Sequence, residues 1–142
     1  MIWQLLFITI SIVMAIWMAK SVLYMSRRSR DVKARGKRLM QDRPSLSAIQ
    51  FAEAHFPDCQ TAAIGVHEIL RENLVVDGTR VEPEDQIYTD LCLGAVDSLA
   101  PIHFAADIED RFGVDPTHLL ECDDPTVKAV IQLVHAKTTD AG

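Results

Sequence analysis

The sequence predicts an all-α protein in which one apolar N-terminal helix precedes a small helical bundle. Three observations carry that prediction. Ile2 to Ala19 contains no charged residue, and its only polar members are Gln4, Thr9 and Ser11. Beyond Pro44 the apolar residues recur at three- and four-residue intervals, as on one face of a helix. No stretch of useful length alternates apolar and polar residues as a half-buried strand would, and no internal repeat emerges.

The N-terminal element is the first to justify. At ~1.5 Å per residue, residues 2–25 reach about 36 Å as a helix, against a bilayer core of roughly 30 Å. Trp3 near one end and Trp17 and Tyr24 toward the other suit the two interfaces. A cleavable signal would want positive charge before the apolar core. Here none precedes it, and Lys20, Arg27, Arg28, Arg30, Lys33, Arg35, Lys37 and Arg38 follow it. The prediction is a retained single-pass anchor over residues 1–25 and a basic juxtamembrane linker over 26–44. Basic flanks stay cytoplasmic, so the N-terminus should lie outside the inner cell membrane and the rest of the chain inside. The basic stretch sets topology and lies near anionic head groups; nothing in the sequence gives it a lipid-sensing role.

Pro44 stops the linker. Ser45 or Ser47 can cap a short helix through about His55, closed by Pro57, so residues 45–59 form a short extra helix. Ile64, Ile69, Leu70 and Leu74 mark a longer helix ending near Asp77-Gly78. Residues 78–97 read as a loop, yet Val81, Ile87, Leu91 and Leu93 punctuate it, so it should pack down. A third helix runs from Ser98 to Phe112 with Leu99, Ile102, Ala105, Ala106, Ile108 and Phe112 toward the core, and Gly113 ends it. After a short turn at 116–120, a last helix starts at Asp124 or Pro125 with Val127, Val130, Ile131 and Val134 as its stripe, and 138–142 fray.

Charge excludes several functions. The 142 residues carry a net charge of −6, but residues 1–43 hold +7 and residues 44–142 hold −13. A domain this acidic repels phosphate backbones, so no nucleic-acid partner is expected. Cys59, Cys92 and Cys122 form neither a disulfide framework nor a C-x-x-C pair, and unpaired cysteines agree with a cytosolic setting. The five histidines lack metal-ligand spacing, so no metal site is expected. Cys92 has no basic neighbour to make it a thiolate, and Glu82, Glu84 and Asp85 read as a solvated loop. Ser98 and His103 are five residues apart on one helix, which puts them on different faces, and no G-x-S-x-G elbow exists. No catalytic residue is expected.

Asp97-Ser98-Leu99 at the start of the third helix is the informative site. A first helical turn offers free N–H groups and the positive end of the dipole, and so tolerates an appended phosphate. An ordinary N-cap, worth about 1 kcal/mol, is the structural alternative for Ser98.

At these residues the chain resembles the acyl carrier protein family. Val66 to Leu74 is similar to that family's first helix. Val81, Ile87 and Asp90-Leu91 fall where its long loop has apolar pins and a D-L pair. Asp97-Ser98-Leu99, Ile102, Phe104, Ile108 and Phe112-Gly113 resemble its second helix, and Pro125-Thr126-Val127 with Ile131 its closing helix. The resemblance covers roughly residues 60–136 and implies an acyl-carrier-like four-helix bundle over 60–138, preceded by the transmembrane helix.

It further implies a 4′-phosphopantetheine arm on Ser98 that holds a thioester for partner enzymes in lipid or lipoconjugate synthesis. Asp97 and Leu99 would serve recognition by a phosphopantetheinyl transferase. Ile102, Glu109 and Asp110 would meet the enzymes that load and unload the acyl group, and the chain itself would not be an enzyme. Leu91, Ile102, Ala106 and Ile131 would shelter an acyl chain. The segment Asp90-Leu91-Cys92-Leu93-Gly94-Ala95-Val96-Asp97-Ser98-Leu99 is about three residues longer than the family's, and Ala100 and His103 stand where it favours acids. Those departures keep two other expectations open: an unmodified carrier-like docking module recruiting cytosolic enzymes, and an accessory subunit of a membrane complex.

Overall fold

The computed structural model describes residues 2–115, 117–120 and 122–140. Pro116 and residues 141–142 of the tail lie outside them, as does the side chain of Trp3. The elements are α1 (Ile2–Met40), α2 (Ala48–His55), α3 (Gln60–Asn73), a 3₁₀ turn (Gly78–Arg80), α4 (Ala100–Phe112), α5 (Thr117–Leu120) and α6 (Val127–Asp140).

α1 is one helix of 39 residues, about 58 Å long, and it continues unbroken through the basic stretch. Ile10, Ile12, Val13, Met14, Ile16, Trp17 and Met18 are all exposed. Their positions point in every direction around the axis, so no face of the protein covers them. The helix is long and apolar enough to cross a membrane. Its last turns behave differently. Gly36 and Met40 are buried and Leu39 packs against the core. A Cβ on Gly36 would stand 2.2 Å from Val76 Cγ1, so only glycine allows the segment after α3 to touch α1 here.

α2 opens on a reciprocal cap. Ser47 Oγ accepts from the Gln50 N–H at 3.2 Å, and Gln50 Oε1 accepts from the Ser47 N–H at 3.0 Å. α3 is the centre of the bundle, with α2, α4 and α6 all packed on it. Ala62, Ala63, Val66, Ile69 and Leu70 supply its buried stripe at helical spacing. Gly65 makes room for Phe112, whose Cζ would lie 2.3 Å from an added Cβ. The helix ends at Asn73, earlier than Asp77-Gly78. Gly78 instead permits a close approach to α3, where a Cβ would meet Arg71 Cα at 2.9 Å.

The loop after the 3₁₀ turn is ordered by burial and by backbone pairing. Val81, Ile87, Leu91 and Leu93 are all buried, as their spacing predicts. The Ile87 N–H donates to Pro125 O (3.1 Å), the Val127 N–H to Asp85 O (3.0 Å) and the Lys128 N–H to Pro83 O (2.9 Å). The loop is thereby stitched to the start of α6, which begins at Val127 with the Thr126 hydroxyl accepting from the Ala129 N–H. α4 closes on Gly113, whose φ of 67° is left-handed and whose N–H donates to Glu109 O at 2.7 Å. α6 buries Val127, Val130, Ile131 and Val134. It stays helical through 138–140, where fraying was expected, because Thr138 and Thr139 hydroxyls donate to Val134 and His135 carbonyls.

One face assignment is corrected. Leu99 and Ile102 are 53% and 56% exposed and Ala106 is exposed, whereas Ala100, Phe104, Ala105 and Ile108 are buried. α4 meets the bundle mainly through α3. Only one stripe, spaced four residues apart through 100, 104 and 108, can face it.

Candidate functional site

The site begins in the loop before α4. Cys92 has a φ of 57° and Gly94 one of 81°, two left-handed residues flanking buried Leu93. The Leu93 N–H donates to Ile87 O (3.1 Å) and the Ala95 N–H to Cys92 O (3.0 Å). The chain thus doubles back in the Cys92–Gly94 stretch, with Leu91 and Leu93 both buried. A Cβ on Gly94 would lie 2.9 Å from Pro101 Cγ, so this reversal packs directly on the first turn of α4. The Cys92 thiol is buried, with Thr89 O and Asp90 O each 3.7 Å away, a structural placement.

Ser98 follows and is fully at the surface, between exposed Asp97 and exposed Leu99. It is not the N-cap, because α4 starts two residues later, at Ala100. Asp97 does the fastening instead. Its Oδ1 accepts from the Leu99 N–H at 2.9 Å and its carbonyl from the Ala100 N–H at 3.2 Å. The Leu99 carbonyl then takes the N–H groups of Ile102 (2.9 Å) and His103 (3.0 Å). Pro101 sits at the second helical position, where its missing N–H costs no bond. The first turn therefore satisfies its own donors. A phosphoryl group on Ser98 would find an accessible hydroxyl and no ring of spare backbone N–H groups. These residues fit an arm that projects into water, not one cradled against the helix.

Around Ser98 the exposed face of α4 carries Leu99, Ile102, His103, Ala106, Glu109 and Asp110. Ile102 and Glu109 are seven residues apart and so share one line along the helix. Each sequence-predicted contact residue, Asp97, Leu99, Ile102, Glu109 and Asp110, is thus brought to the surface containing Ser98. The proposed acyl shelter is not brought together. Leu91 and Ile131 are completely buried while Ile102 and Ala106 face outward. An apolar hollow of about 390 Å³ lies elsewhere, between α5 and α6, lined by Leu119, Pro125, Ala129, Val130 and Leu133.

Two features were missed in the sequence. Asp85, grouped there with solvated carboxylates, is buried and receives Arg43 in two-pronged fashion, Nη1 to Oδ2 at 2.7 Å and Nη2 to Oδ1 at 3.0 Å. It also accepts from the Glu82 N–H at 2.8 Å. Glu82 stands 3.3 Å from the same guanidinium, and Arg80 donates to the carbonyls of Met40 and Arg43. Glu82 and Glu84 keep the expected exposed role, the latter paired with Lys128 at the surface. The second feature is Asp124, which holds the loop by accepting from the N–H groups of Tyr88 (2.8 Å) and Thr89 (3.2 Å) and from the Thr89 hydroxyl. A carboxylate before a helix reads as dipole compensation, and nothing in its neighbours reveals a loop partner thirty-five residues away. His67, inside α3, is completely buried beside Phe51, both ring nitrogens lack a hydrogen bond among the described residues, and burial pushes its pKa down.

No protein-family model, no curated protein and no solved structure matches this chain.

Proposed function

We propose that this protein is a membrane-tethered acyl or peptidyl carrier, with Ser98 bearing a 4′-phosphopantetheine arm and α1 as the anchor. The observation that carries the reading is the surface around Ser98. An unencumbered serine stands at the foot of α4, with Leu99 and Ile102 exposed beside it and Glu109 and Asp110 farther along the same helix. Burying two large apolar side chains is ordinarily favourable, so leaving both in water beside one hydroxyl is what a docking face requires. The arrangement of α3, α4, α5 and α6, joined by a long pinned loop, supports an acyl-carrier-like bundle. Complementary charge from the acidic domain would speed partner encounter more than it tightens the complex. The carrier does no chemistry itself; a transferase and acyl-handling enzymes supply it.

A second reading has its own support. Ala100 is buried and His103 carries no negative charge, so the turn after Ser98 lacks acids that a transferase would read. The same face would then recruit cytosolic enzymes without modification.

Intact mass of the protein purified from its own host, followed by peptide mapping across Asp90–Arg111, tests both. A phosphopantetheinyl increment on Ser98, absent in Ser98→Ala, is the expected result, and further mass on the thiol identifies the cargo. An increment that survives Ser98→Ala refutes the site. An unmodified chain that also resists several purified transferases favours the docking module. Because Ser98 caps nothing, Ser98→Ala should leave stability within about 0.5 kcal/mol of the parent, so loss of modification cannot be blamed on unfolding.

A further inference from the structure

Between α1 and the loop that leads to Ser98 lies a polar cleft of about 620 Å³. One wall is α1, where Tyr24, Arg28 and Arg35 recur at four and seven residues and so share a face, with Arg27 and Asp31 beside them. The other wall is the loop, contributing Tyr88 and Thr89 and ending at Ala95. None of Arg27, Arg28 and Arg35 makes an ion pair among the described residues. Three guanidinium groups against one lining carboxylate, Asp31, leave the cleft net positive where the basic stretch of α1 faces a loop of the acidic bundle. Tyr24 marks its lower end, where the apolar run of α1 gives way to charge, and Arg35 lies about 16 Å farther along the axis.

We infer that this cleft binds the phosphate-bearing head group of an anionic phospholipid from the leaflet into which α1 descends. Arginine matches phosphate oxygens with paired donors, and the Tyr88 phenol suits the remaining polar atoms of a head group, the Thr89 hydroxyl being already given to Asp124. The site's height selects a lipid over a soluble phosphate, because Tyr24 at its lower end adjoins exposed Val22, Leu23 and Met25 on α1, along which the acyl chains of a bound lipid would continue. The inference rests on α1 being a membrane span and is independent of whether Ser98 is modified. Its consequence is local: an occupied cleft braces residues 88–95, three residues short of Ser98.

The test uses the full chain in nanodiscs of phosphatidylcholine alone or mixed with phosphatidylglycerol. Native mass spectrometry reads lipid retained on the released protein, and hydrogen exchange reads residues 88–95. The expected result is preferential retention of phosphatidylglycerol together with slower exchange in 88–95. In Arg28→Gln/Arg35→Gln retention should drop roughly tenfold or more, and in Arg30→Gln/Lys37→Gln, which removes the same charge outside the cleft, it should persist. Equal loss in the two double variants would overturn the site in favour of general attraction to the surface. Displacement of the lipid by excess inorganic phosphate would overturn the lipid as occupant. A chain that never enters the nanodisc fails the span itself, whereas an inserted chain indifferent to lipid charge fails only the cleft.

Discussion

Asp85→Asn should unfasten the end of α1 from the bundle, and the structure sets the size of the effect. The Asp85 side chain is 5% exposed and that of Arg43 17%, so the pair is largely out of water. The substitution removes the negative charge, turns an NH₂ group toward the guanidinium, and leaves Arg43 with the half-exposed Glu82 at 3.3 Å and the Arg80 carbonyl at 3.5 Å. Breaking a buried pair on one side costs about 3–5 kcal/mol; the surviving Glu82 contact places this case near 3 kcal/mol. Hydrogen exchange on the full chain measures it at the amides of Ile87, Val127 and Lys128, which the Asp85 loop and α6 share. Their exchange should quicken by roughly 100-fold, since 1.4 kcal/mol is a factor of ten. Arg43→Met/Asp85→Leu, which removes both charges, should cost less than either single change. Unchanged exchange in Asp85→Asn would refute the claim that this pair holds the loop.

Three further outcomes follow from buried or strained positions. His67 is neutral when folded because burial depresses its pKa, whereas the unfolded chain takes up a proton near pH 6.5; stability should therefore be level above that pH and fall as pH drops below it. Denaturation midpoints across this range should show the decline, and His67→Leu should flatten it; a level profile in the parent refutes the assignment. Gly36→Ala must push Val76 aside and should cost about 1–3 kcal/mol, with Val76→Ala restoring most of it, read as protection of residues 33–40. Gly113→Ala meets no atom within 4 Å, so its cost of about 1 kcal/mol in thermal stability should come from the left-handed backbone alone.

Legibility in the sequence tracked the range of the interaction. Ser47 and Gln50 stand three residues apart and cap α2 without outside help, so that boundary was readable to within two residues, between Ser45 and Ser47. Gly113 and the α6 stripe were readable for the same reason. The faces of α4 were not, because Leu99, Ile102 and Ala106 are as apolar as Phe104 and Ile108; which stripe turns inward depends on where α3 lies. Arg43 finds Asp85 across forty-two residues, and neither residue's neighbours announce the pairing. For Ser98 the exposed hydroxyl was legible, while the absence of a capping role came from where the Cys92–Gly94 reversal delivers the chain.

If α1 spans a bilayer, as proposed, its unbroken course changes what the anchor accomplishes. On a slack linker the domain would roam, and tethering would act only by raising local concentration. Here the helix and the three residues that follow it enter the fold at three places. Gly36 lies on Val76, Met40 is in the core with its carbonyl bonded by Arg80, and Arg43 is locked on Asp85. With residues 2–25 in a bilayer, Ser26–Met40 adds only about 22 Å of helix, so the bundle is held at a fixed and small height. An acidic domain held that close to an anionic leaflet would be repelled. Between the two, however, residues 26–44 place eight basic residues against Asp31 and Asp42. Within a Debye length of roughly 8–10 Å, that sleeve attracts the membrane below and the bundle above. On the proposed reading, the opposed charges of the two parts of the chain are then one arrangement, and a partner docking on α4 would approach along the membrane surface.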